Sequence, residues 1–193
     1  FVRCDDYQGG YIAGKHLLEL GHRHFLYLPG PKYNLSQTRR YAGIMDALSE
    51  ANVPASNIRE IDYHTVFGSS AESTSSYKPY EELFFPVNYT AVIGFNDLQS
   101  YSAMEILQKK GYRIPEDISL ISFDHLRKTH TYLPPLTSIA DNSEKSIADT
   151  AVSILLDKIR NPSSEISSEV LPVSIFDDHT TGPINETFAH SFE

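Results

Sequence analysis

A carboxylate, an amide and a forked cation stand where this sequence passes between apolar and polar runs. Asp124 ends the run Ile118-Ser-Leu-Ile-Ser-Phe, Asn96-Asp97 follows Thr90-Ala-Val-Ile-Gly-Phe, and Arg39-Arg40 opens a segment with apolar Ile44, Ala47 and Leu48. A carboxylate at the carboxyl end of a strand can accept hydrogen bonds from a small polar molecule, or it can cap a loop. Asn96 both donates and accepts and is equipped to read a hydroxyl, while Asp97 is better explained as the cap of the next helix. Arg39 and Arg40 are expected in a first helical turn, where the helix dipole disfavours a cation, so at least one needs a partner. A ligand hydroxyl or carboxylate would serve, as would Asp46 or Glu50. His22 and His24 alternate like a metal pair, but no carboxylate or cysteine stands near at ligand spacing, and a solvated turn is the reading.

The elements that must position these residues alternate as strands and helices at βαβ intervals. This implies an α/β fold: a doubly wound, mostly parallel sheet with helices on both faces. Residues 1–4 read as a strand end and 7–20 as a helix capped by Asp5 or Asp6 and stopped by Gly21. Gly9, Gly10 and Gly14 lie inside that helix, so they suit close packing on a sheet rather than a phosphate loop. Next come a strand at 25–28, a helix at 39–52 capped by Ser36 or Thr38, and a strand at 57–63 ending at Tyr63. Residues 65–78 read as a loop or a frayed helix start, and 81–85 as a helical remnant. A helix over 99–110 stops at Gly111, and Pro115 keeps it from resuming before the Asp124 strand. A polar loop at 125–132, a strand from Leu136, a helix over 144–160 capped by Asn142 or Ser143, a strand over 170–176 and a loose polar tail complete the chain.

The composition is globular: 193 residues, 40% of them hydrophobic, with 25 acidic against 16 basic residues and a net charge of −9. Such a balance repels phosphate backbones and leaves no basic stripe for nucleic acid. The single cysteine, Cys4, excludes an intrachain disulfide and fits a reducing cytosol. No run of about 18 apolar residues offers a membrane span. No Gly-x-Ser-x-Gly elbow, metal-spaced cluster or phosphate loop points to an enzyme, and neither cofactor nor metal is expected. Phe1 opens the chain inside a strand, which reads as a piece of something longer.

Four stretches carry a family resemblance. Gly111-Tyr-Arg-Ile-Pro-Glu-Asp-Ile-Ser-Leu-Ile-Ser-Phe-Asp, Gly9 through Gly21-His-Arg, Pro134-Pro-Leu-Thr-Ser-Ile and Asn96-Asp97 together resemble the effector-binding core of bacterial transcription regulators of the lactose/purine repressor type. The resemblance implies two lobes that clamp a sugar or similar metabolite. Residues 1–140 would form most of the second lobe, 141–165 a crossover helix belonging to the first, 166–177 a strand returning to the second, and 178–193 a polar tail. It shifts the assignment to Arg40, whose Arg-Tyr-Ala-Gly matches an effector-contacting pattern, and aligns Tyr63 with an aromatic that stacks on the effector. Arg40, Asn96 and Asp124 are then expected to share one pocket with Tyr63 as its apolar wall. The family also implies a cytoplasmic homodimer that meets DNA only through an N-terminal helix-turn-helix domain absent from this sequence. A periplasmic sugar-binding protein of a transport system is the alternative. One departure is that Asp177, Asp178 and His179 stand where the family usually has a basic residue.

Overall fold

The computed structural model describes residues 1–61, 80–163, 165 and 167–190. Its centre is a six-stranded sheet ordered β3-β2-β4-β5-β6-β8: Ile58–Glu60 (β3), Phe25–Leu28 (β2), Ala91–Gly94 (β4), Ser119–Phe123 (β5), Ser138–Asp141 (β6) and Val173–Phe176 (β8). Every pairing is parallel except β6 with β8. β2, β4 and β5 are buried along their whole length, as expected for parallel strands covered on both faces.

The alternation of side chains sorts two cores. Phe25, Tyr27, Ile93, Ile121 and Phe123 pack with helices Asp6–Glu19 (α1) and Leu35–Glu50 (α2). Leu26, Leu28, Val92 and Leu120 pack with Ala103, Met104, Ile106 and Leu107 on the buried face of Asp97–Lys109 (α3). Helix α3 ends as the sequence implies. Gly111 takes φ 91°, its N–H reaching Gln108 O and that of Tyr112 reaching Leu107 O, a left-handed stop that glycine adopts without steric cost. Of the three α1 glycines only Gly9 lies against the sheet, beside Phe123, Ile139 and Val173. A methyl on Gly10 would instead collide with the Arg40 carbonyl of α2. The glycine stripe therefore serves helix–helix approach as well as the expected packing on strands.

Several local expectations are corrected. Helix α2 begins earlier than read, because Asn34 caps it by accepting from Ser36 N and Gln37 N, so Arg39 and Arg40 fall in its second turn. The expected strand over 170–176 is two, Glu169–Leu171 (β7) and β8, separated at Pro172. Val2–Cys4 (β1) does not join the large sheet but pairs in parallel with β7. Helix Ile147–Arg160 (α4) packs on β1 and starts at a capping box of Ser146 and Asp149 rather than at Asn142 or Ser143.

The stretch expected to be a loose tail is docked through residue 190 and carries a short helix, Glu186–Ala189 (α5). Thr180 exchanges two hydrogen bonds with the Leu120 backbone (2.7 and 2.6 Å), and Ile184 N reaches Leu20 O. Asp178 pairs with Arg127 at 2.9 Å, and Asp177 accepts from Thr137 Oγ1 and His179 N. His22 is not in a solvated turn. It is 2% exposed, with Nδ1 2.9 Å from Thr90 Oγ1 and Nε2 3.0 Å from Gly182 O. Among the described residues, no helix is long and apolar enough to cross a membrane.

Candidate functional site

The carboxyl ends of β1, β4 and β5, together with the second turn of α2, bring charged groups to one edge. Arg40 is their hub. Its Nε donates to Asp6 Oδ1 at 2.9 Å, Nη1 to the Phe95 carbonyl at 2.6 Å, and Nη2 to Asp124 Oδ1 at 3.2 Å. The guanidinium lies between the rings of Phe95 and Phe123, 5.0 and 4.5 Å from their centroids. Flanked by aromatic faces and anchored by two carboxylates, Arg40 has little rotamer freedom, so the donors it has left are fixed in direction. Its partners are not Asp46 and Glu50, which accept from Tyr7 and Tyr11 on α1.

Asp124 is the exposed partner: its side chain is 44% accessible, against 6% for Asp6. It opens on a cavity of about 250 Å³ shared with Cys4, Asp6, Arg40, Phe123 and Asp141. Burial, then Asp141 and Asp6, push the Cys4 thiol up, so it stays protonated at neutral pH. Asp124 and the following His125 both have positive φ, 96° and 47°, and the Asp124 carboxylate accepts from Arg40.

The helix cap expected of Asp97 is made by Asn96 instead. The Asn96 side chain caps α3 by accepting from Gln99 N at 3.0 Å, leaving its amide protons to donate. Asn96 lines a neighbouring cavity of about 310 Å³ with Pro31, Asn34, Phe95 and Leu98, not the one between Arg40 and Asp124. Asp97 is 1% exposed, and burial raises its pKa against the bonds it accepts. Tyr63 lies outside the described residues. Of the expected residues, Arg40 and Asp124 therefore come together directly, and Asn96 stands one cavity away.

Asp6 and the two phenylalanines that flank the guanidinium escaped sequence reasoning. A signal for Asp6 existed: two aspartates follow β1 and only one can cap α1. Asp5 does so, accepting from Gln8 N at 3.1 Å.

In open α/β sheets, clefts at the carboxyl edge of the strands are where ligands are generally held, and the charged pair and cavity lie at that edge. The chain belongs to the periplasmic binding protein-like domain family, whose model matches residues 15–181. It is 35% identical over 170 residues to the HTH-type transcriptional repressor PurR of Escherichia coli, covering 86% of this chain and 47% of that protein. The corresponding repressor of Mannheimia succiniciproducens is 33% identical over 156 residues, covering 80% of this chain and 45% of that protein. Among solved structures, a LacI family transcriptional regulator from Enterococcus faecium with bound ribose superposes with a TM-score of 0.77 at 28% identity, over 95% of this chain and 65% of that one. A dimeric Lac repressor with a C-terminal deletion gives 0.74 at 26%, over 95% and 64%. The chain thus spans about half the length of the curated relatives it matches.

Proposed function

We propose that this chain is the effector-binding region of a bacterial transcriptional regulator of the LacI type, a sensor of a sugar or similar small metabolite rather than an enzyme. The Arg40–Asp124 pair carries this reading. A fixed fork of N–H donors beside an exposed carboxylate matches the mixed donors and acceptors of a polyol. Asn96, on the neighbouring cavity, is a further contact in this reading. Residues of β1, β7 and α4 form the edge of a first lobe, and the ligand acts by stabilising one arrangement of the two lobes over the other. DNA is met through a separate domain, since the acidic balance here disfavours phosphate.

The test is a thermal-shift screen of the protein against D-ribose, cellobiose and purine bases, repeated with Asp124→Asn. Asparagine tolerates the left-handed backbone at this position better than alanine does. The variant is expected to unfold like the wild type while losing about 2–5 kcal/mol of affinity for whichever compound stabilises the parent, as when one partner of a desolvated charged contact is removed. Undiminished affinity in Asp124→Asn would overturn the site.

A second copy of the chain is the partner proposed for α4. Its outer face exposes Val152, Leu155, Leu156 and Ile159, the last at 64%, a contiguous apolar stripe of a kind that monomers rarely present. Light scattering is expected to report a mass above one chain that falls to one chain in Leu155→Asp/Ile159→Asp. An unchanged mass in that variant would place the interface elsewhere.

A further inference from the structure

The backbone that carries Asp124 is held in an unfavourable shape. Two consecutive non-glycine residues, Asp124 at φ 96° and His125 at φ 47°, lie in the left-handed region, where a side chain crowds the adjacent peptide. Such geometry persists only where neighbouring groups over-determine it. Here the holding groups converge on one buried carboxylate that contacts no cation among the described residues. Asp97 Oδ2 accepts from Leu126 N at 2.7 Å, Oδ1 accepts from Ser138 Oγ at 2.8 Å, and the same Ser138 Oγ accepts from His125 N at 3.0 Å. On the other side, Asp124 N donates to Ile139 O at 3.0 Å, and the His125 ring stacks on Phe176 at 4.4 Å.

Asp97 therefore ties the first residue of α3, the turn after β5 and the start of β6 together at one point. N–H donation to a carboxylate is about twice as strong as to a neutral acceptor, and here it is shielded from water. A helix cap needs none of this. The capping of α3 is done by Asn96, which frees the Asp97 carboxylate for the loop.

We infer that Asp97 is a positioning residue for the Arg40–Asp124 site: by clamping Leu126 N and Ser138 Oγ it fixes the left-handed turn that presents the Asp124 carboxylate to Arg40 and to the cavity. Its importance for effector binding rests on the reading above. Its effect on the turn does not, and can be measured with no ligand present.

The experiment uses isotopically labelled protein and NMR couplings that report the sign of φ at residues 124 and 125, together with hydrogen exchange of the Arg40 guanidinium. Asp97→Ala removes both acceptors. The expected result is loss of the positive-φ signature at both residues and at least tenfold faster exchange of the Arg40 Nη2 protons, with the Nε proton on Asp6 little changed. Adding His125→Gly to Asp97→Ala should restore the turn and slow Nη2 exchange again, because glycine enters this conformation without steric cost. A merely space-filling role for Asp97 gives no such rescue. Asp97→Asn, which keeps the volume and one acceptor, takes the place of Asp97→Ala if the latter does not fold, with the same signs and smaller changes. A folded variant with wild-type couplings and wild-type Nη2 exchange, or one whose turn is lost but not recovered by His125→Gly, would overturn the proposal.

Discussion

Arg40→Ala is expected to lower the unfolding free energy by about 3–5 kcal/mol, besides abolishing effector binding, because it strands a buried anion. Asp6 is 6% exposed and its cation partner is the Arg40 Nε, while the Phe95 carbonyl loses its 2.6 Å donor. Urea unfolding measures the loss. Asp6→Asn/Arg40→Ala, which removes both charges, should recover a substantial part of it, since an absent pair costs less than a broken one. Arg40→Lys should behave more like alanine than like arginine, because a single ammonium cannot reach three acceptors in a planar fork. A loss below about 1 kcal/mol in Arg40→Ala would mean that the network contributes no more than a surface ion pair. Arg40 and Asp124 are therefore unequal probes of the site: Asp124 tests binding alone, while Arg40 tests binding and fold together.

Acid should destabilise this protein through His22 before most carboxylates titrate. Burial lowers the His22 pKa from 6.5 to about 4, with the Gly182 carbonyl bond partly opposing the shift. The ring is thus held neutral in the fold and takes up a proton on unfolding. Its contribution is fully present above pH 6.5, declines as pH falls, and is lost once pH passes below about 4. A shift of this size corresponds to about 3 kcal/mol at 1.36 kcal/mol per unit. His16, also lowered by burial, adds in the same direction, and Asp97, raised by burial, acts with the opposite sign. Unfolding free energies measured at steps from pH 7.5 to pH 4 should show this slope. His22→Gln, which can still bond Thr90 and Gly182, should lose most of it. An unchanged slope in His22→Gln would assign the acid sensitivity to other groups.

The strands and helix stops were legible because each follows from local chemistry. The run from Ile118 to Phe123 is too short and too branched for a helix, and Gly111 takes a backbone conformation that other residues reach only with strain. Asp124 at a strand end was legible for the same reason, since the carboxyl edge of a parallel sheet is fixed by topology. The docking of the tail is hidden in the sequence because its polarity suggests looseness. Thr180 and Gly182 dock through hydrogen bonds to Leu120, Thr137 and Ser119, and such bonds leave no apolar periodicity in a sequence. The burial of His22 is hidden in the same way: its partners Thr90 and Ser119 are 68 and 97 positions distant.

The α/β class, most of the order of strands and helices, the family resemblance and the candidates Arg40 and Asp124 follow from the residues alone. These rest on side-chain periodicity, backbone preference and motif, all of which are local. That Asn96 caps the helix while Asp97 accepts from Leu126 N, that Asp6 holds Arg40, and that β1 pairs with β7 rather than joining the large sheet emerges only when distant segments pack together. The physical reason is that neighbouring carboxylates and amides have equal local claims to cap a helix. What separates them is which one meets a donor brought from another part of the chain, as Leu126 and Ser138 are brought to Asp97 by the packing of α3 against β5 and β6.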